Sequence, residues 1–240
     1  MYNPTVARLT YRALLGRRRA LILCALPALL LVVAVAVRAM NGADDAVTSE
    51  LLGGFALATL VPLIGVIAGT GAIGPEIDDG SVVYLLSKPV SRTSVIVTKL
   101  VVATGTTAVF SAVPVLVAGF VLNGNSQQIA VAYALAAVVA SIAYSALFLL
   151  LGTVSRHAVV IGLVYALIWE ALIGSLVPGA KTLSVQQWAL ALAEKVAGSG
   201  ADVSSSVGLP AALVLIVVVT VGGTLFAGQK LRTLTLAGEE

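Results

Sequence analysis

Long runs without a charged residue divide the chain. Residues 20–37, 51–75 and 100–155 carry no charge, and an apolar stretch after Arg156 runs to Ala180 with only Glu170 interrupting it. A last run covers residues 203–229. A helix needs about 20 apolar residues to cross a hydrocarbon core of about 30 Å. The 100–155 run is long enough for two, and "NGNSQQ", Asn123 to Gln128, marks the turn between them. The pattern therefore predicts six transmembrane helices, near 20–39, 52–73, 100–122, 129–153, 158–177 and 209–229. Barrel strands would be about 10 residues long with alternating polarity, which this chain does not show.

Two shorter amphipathic segments stand outside the spans. Ahead of the first, "NPTVARLTYRALLG" predicts a helix over 4–16. Asn3 is placed to cap it, and Pro4 suits a first helical position because its missing N–H would have no partner there. Val6, Leu9 and Ala13 share one row and Arg8 and Arg12 another, which predicts a helix lying on the membrane surface with its bases toward anionic head groups. Arg17, Arg18 and Arg19 extend that basic surface. The second segment, "SVQQWALALAEKV", predicts a helix over about 184–197 with Ser184 as its cap. Its apolar stripe is Val185, Trp188, Ala189, Leu192 and Val196, with Gln187 and Glu194 opposite, so it is expected to rest over the outer end of the bundle.

Composition removes the soluble alternative. Hydrophobic residues are 59% of 240 and charged residues 10%, against about 25% charged in soluble domains; mean hydropathy is +1.06. The chain is expected to be one all-α integral membrane domain spanning 1–240, with no repeat. Of its 14 Lys and Arg, only Arg38, Lys181 and Lys195 fall on the side opposite the termini. Basic loops face the cytoplasm, so both termini are expected there, in a multi-pass protein of the cell membrane. "GRRRALILCALPALLL" has the basic lead and apolar core of a secretory leader, but five spans follow, and it reads as a retained first helix. The net charge of +3 is what such flanks produce, so nucleic acid is not an expected partner.

Catalytic constellations are missing. There is one histidine, one cysteine, no H-E-x-x-H, and no G-x-x-x-x-G-K-[ST] loop for ATP. No catalytic residue, no metal ligand and no cofactor bound by this chain is expected. His157 reads as a boundary residue and Cys24 as a packing residue. Pro27, Pro62 and Pro114 each remove a backbone hydrogen bond and permit a kink. Glu170 is the one intramembrane polar candidate. A carboxylate in hydrocarbon must face a polar cavity, find hydrogen-bond donors or take up a proton, which leaves a functional and a structural reading open.

One segment breaks the pattern: "GPEIDDGSVVYLLSKPVSR", residues 74–92, a charged stretch between two apolar runs. Glu76 precedes a wet turn ending at Gly80, Ser81 is placed to cap a short helix through Val82, Tyr84, Leu85 and Leu86, Pro89 ends that helix, and Ser91 is placed to cap the next span. The apolar residues are too few to span a membrane and need a groove. The run from Glu76 to Lys99 is similar to the cytoplasmic signature of permease subunits of the ABC-2 family: acid, Gly-Thr/Ser, apolar residues, Leu-Leu, Ser/Thr, Pro, Val/Ile, Ser/Arg. "SVQQW" after "WEALIGSLVPGA" is similar to actinobacterial members. The resemblance implies a six-helix permease fold and a coupling helix in the 75–98 loop that docks on a separate ATP-binding cassette ATPase. It places Glu76, Gly80, Ser81, Leu85, Leu86, Pro89, Ser91 and Arg92 in that contact, with Val82 and Tyr84 beside them. ATP and Mg would sit on the partner, and a second permease copy or paralogue would complete the pathway.

The expected function is thus the membrane subunit of an ATP-driven exporter. Two alternatives stand beside it: a non-transporting membrane anchor for a partner ATPase, and a secondary transporter in which Glu170 carries protons.

Overall fold

The computed structural model describes residues 3–80, 91–173, 179–198 and 200–236. Ser81, Val82, Tyr84, Leu85, Leu86 and Pro89 of the expected coupling helix lie outside the described residues. Every element that is described is helical.

The first helix, α1 (Pro4–Leu14), starts where its sequence dictates: the Asn3 side chain accepts from the Thr5 and Val6 amides, and Pro4 occupies the first turn. Its buried face is Val6, Ala7, Thr10 and Leu14. Leu9 of the expected row is 54% exposed. The buried face packs against the start of the third long helix, and Thr10 satisfies its own hydroxyl on the Val6 carbonyl. Arg8 and Arg12 remain on the exposed face.

Among the described residues, five helices are long and apolar enough to cross a membrane, and a shorter apolar helix covers Ala158–Leu172. The first is α2 (Arg17–Asn41); Arg17 and Arg18 open it, their side chains outside those described. The second is composite: α3 (Asp45–Glu50), a π-helical stretch Leu51–Leu60, and α4 (Val61–Gly71), followed after a turn by α5 (Gly74–Asp78). Pro62 stands at the start of α4, where the wide winding gives way to α pitch. The third, α6 (Arg92–Asn123), begins earlier than the apolar run implies, because Ser91 caps it on the Ser94 amide and its first two turns are covered by neighbours. "NGNSQQ" turns through Gly124 and Asn125, both at positive φ, into α7 (Ile129–Val154). The short helix α8 (Ala158–Val164) continues as a second π-helical stretch, Tyr165–Ile173. Then come α9 (Val185–Val196) and α10 (Leu209–Leu236).

The second and fourth spans form the centre, with 67% and 61% of their apolar windows buried, against 22%, 33% and 17% for the first, third and last. Between apolar helices in lipid, close approach and hydrogen bonds replace the hydrophobic drive. Gly65 and Gly69 supply the approach on α4: a Cβ on Gly69 would sit 2.6 Å from that of Phe148, and one on Gly65 2.9 Å from that of Tyr144. Tyr144 and Phe148 stack on each other, their centroids 5.9 Å apart. Hydroxyls join α6 to α7: Ser111 pairs with Ser141 at 3.1 Å, and Ser145 donates to Thr107 at 3.2 Å.

The most informative departure is α9. Expected to rest over the outer end of the bundle with one polar face in water, it packs against α7 and α10, and part of that polar face is covered. Gln186, Gln187, Trp188 and Ala189 are all buried. Gln187, assigned to a wet face by its sequence, accepts from the Ser206 amide and hydroxyl, so the following segment covers it.

Candidate functional site

Two polar sites stand out, one at each end of the bundle. On the terminal side, the residues that flank the expected coupling helix converge. Glu76 lies in the first turn of α5, and its carboxylate pairs with Lys99 of α6 at 2.6 Å. Lys99 is fully buried, and its ammonium also donates to the Ala72 carbonyl at 2.6 Å. A buried ammonium without partners would be costly, and here both an anion and a carbonyl receive it. The two ends of the segment are thus held together.

Further bonds spread from this point. Thr98 accepts from the Asn3 amide at 3.1 Å, which fastens α1 to α6. Arg92 donates to the Leu231 carbonyl near the end of α10 at 3.1 Å. Arg19, expected to face head groups, donates to the Gly71 carbonyl at the end of α4 at 3.2 Å. A cation at a helix C-terminus complements the macrodipole and meets an orphan carbonyl. Gly80 is exposed with φ of +68°, a conformation that suits glycine and ends the α5 turn. Of the residues assigned to the loop by its motif, Glu76, Gly80, Ser91 and Arg92 are therefore placed around its base. Lys99 closes the signature read from the sequence but is not among the contact residues assigned there; it is the last charge before the 100–155 run.

On the far side, Glu170 is fully buried in the second π-helical stretch. Its carboxylate accepts four hydrogen bonds: from the Tyr165 hydroxyl at 2.8 Å, the Ser184 hydroxyl at 2.6 Å, and the Val185 and Gln186 amides at 3.0 and 3.4 Å. The local winding makes this possible. Residues five apart share a face at the i→i+5 pitch of a π-helix, whereas the 3.6-residue turn would separate Tyr165 from Glu170. The orphan N–H groups that open α9 are met by this carboxylate. Ser184 occupies the cap position but makes no side-chain cap bond; the expectation that it caps α9 is corrected, because its hydroxyl is turned to Glu170. Beside the carboxylate, Gln186 donates to the Gly53 carbonyl of the first π-helical stretch at 2.9 Å. Trp188 donates to the Thr182 carbonyl at 2.8 Å.

Chemically, the first site is a cross-linked base for a loop, and the second is a carboxyl group seated on a helix N-terminus. Among the described residues no group of three His, Cys, Asp or Glu could hold a metal. A family model described as ABC-2 family transporter protein matches residues 9–193. No curated protein matches the chain.

Proposed function

The chain belongs to the ABC-2 family of transporter proteins, and from that premise we propose that it is the permease subunit of an ATP-driven exporter whose ATPase is a separate chain. The family match carries this reading, and the clasp between Glu76 and Lys99 supports the coupling role of the segment it closes. Val82, Tyr84, Leu85 and Leu86 fill an apolar groove on the ATPase, each contributing about 1.5–3 kcal/mol if fully buried. Charges at the rim, Glu76 and Arg92 among them, set the orientation of docking. Gly80, Ser81, Pro89 and Ser91 shape the helix and its ends. ATP and Mg bind on the partner, and a second permease, identical or paralogous, completes the pathway.

Movement of the docked loop reaches the bundle through its base. Lys99 pulls on α4, α5 and α6 together, Arg92 on α10, and Thr98 on α1. Both termini face the cytoplasm, where the ATPase docks, as the placement of Lys and Arg implies. Glu170 acts as a seat for α9. All four donors on its carboxylate come from the protein and hold the start of α9 in place, which favours the structural reading over the secondary-transport alternative.

The test uses the protein purified from its native membrane with whatever ATPase accompanies it. Leu85→Asp is expected to release that ATPase or to uncouple its turnover from transport by tenfold or more, about 1.4 kcal/mol of contact energy. Unchanged association and turnover in Leu85→Asp would sink the coupling role; a preparation that transports on a proton gradient without ATP would sink the class.

A further inference from the structure

A half-open cavity of about 230 Å³ lies on the terminal side, between the start of α2, the end of α4 and the turn from α7 to α8. Arg19, Arg156 and Ser155 line its polar part, and Ile22, Ile67 and Val159 line its apolar part. Among the described residues no carboxylate lines it. Glu76, next to its Pro75 rim, is turned to Lys99. Arg19 places one of its five N–H donors on Gly71, and Arg156 is exposed and makes no ion pair among the described residues.

The apolar flank opens toward lipid. Ile22 and Val159 are each 52% exposed, continuous with exposed Leu21 on α2 and with Val160 and Ile161 on α8. In a membrane these faces meet acyl chains. The cavity thus joins two guanidinium groups at the boundary of the hydrocarbon to a wall that only a chain of methylenes would cover. Arginine pairs and phosphates form short, charge-assisted hydrogen bonds, and basic pockets between transmembrane helices suit anionic head groups.

We propose that this cavity binds an anionic phospholipid of the leaflet on the terminal side, with Arg19 and Arg156 on its phosphate and Ile22 and Val159 along its first methylenes. Inorganic phosphate offers the same anion without the chain, and phosphatidylcholine offers chain and phosphate without net charge.

Purified protein in a non-ionic detergent is titrated with dioleoylphosphatidylglycerol, dioleoylphosphatidylcholine or inorganic phosphate. Thermal unfolding is followed, and native mass spectrometry counts retained lipid. Phosphatidylglycerol is expected to raise the unfolding temperature and stay bound, and the other two are not. Arg156→Gln is expected to weaken phosphatidylglycerol retention about five- to tenfold. Val159→Trp, which fills the apolar flank and keeps both bases, is expected to do the same, while Lys195→Gln, exposed on α9 away from the cavity, leaves retention unchanged. Equal retention by Arg156→Gln or Val159→Trp overturns the site. Equal stabilisation by phosphatidylcholine or by free phosphate overturns its selectivity for an anionic lipid.

Discussion

Lys99 shows how one side chain can decide the order of a whole segment. Its ammonium is fully buried, and its partner Glu76 is 29% exposed. Removing one member of a buried pair leaves the other uncompensated, a cost of about 3–5 kcal/mol. Glu76→Gln, which leaves the buried Lys99 ammonium without its anion, is therefore expected to lower the unfolding temperature clearly, and Lys99→Met to lower it less, since the Glu76 it leaves behind retains contact with water. The double variant is expected to be more stable than the sum of the two losses implies. Additive losses in a double-mutant cycle followed by thermal unfolding would show that the pair does not act as a unit. Part of this was legible in the sequence: Glu76 stood out as an acid at a span end. Lys99 was legible as the end of the signature but not as the partner of Glu76, because nothing local shows that a lysine 23 positions onward folds back on it. Asn3 and Pro4 were legible in full, since a cap and a first-turn proline act within one turn of chain.

At the scale of elements, the signals that worked were those with local causes. "NGNSQQ" divides α6 from α7 because glycine and asparagine tolerate positive φ, and Asn123 and Ile129 bound the helices accordingly. The polar face read on α9 departs for a reason of the opposite kind. Its periodicity predicted a polar face for water, yet Gln187 is buried under Ser206 and the helix start sits on Glu170. Neither a π-helical winding nor a covering segment is written in hydrophobic spacing. The seat makes its own prediction. Glu170→Ala strips four acceptor contacts and leaves the first amides of α9 buried without partners, a loss of about 3 kcal/mol. Hydrogen exchange at Val185 and Gln186 is expected to accelerate well beyond that at α7. Unchanged protection there would mean that α9 is held by its packing alone.

The molecule as a whole poses a question of sidedness that labelling can answer. With Cys24, the sole cysteine, replaced by serine, Arg12→Cys on α1 and Lys195→Cys on α9 each introduce one exposed thiol. A membrane-impermeant maleimide is expected to reach Lys195→Cys in intact cells and Arg12→Cys only after permeabilisation. The reverse pattern would invert the molecule and move the loop base away from any cytoplasmic ATPase. The same scale shows where motion has room. Thr107, Ser111, Ser141 and Ser145 rivet two neighbouring spans with uncharged groups that no water competes for. Those two spans will travel as a single strut, and any stroke delivered from below must be taken up as slip along the sparsely covered outer staves, α2 and α10.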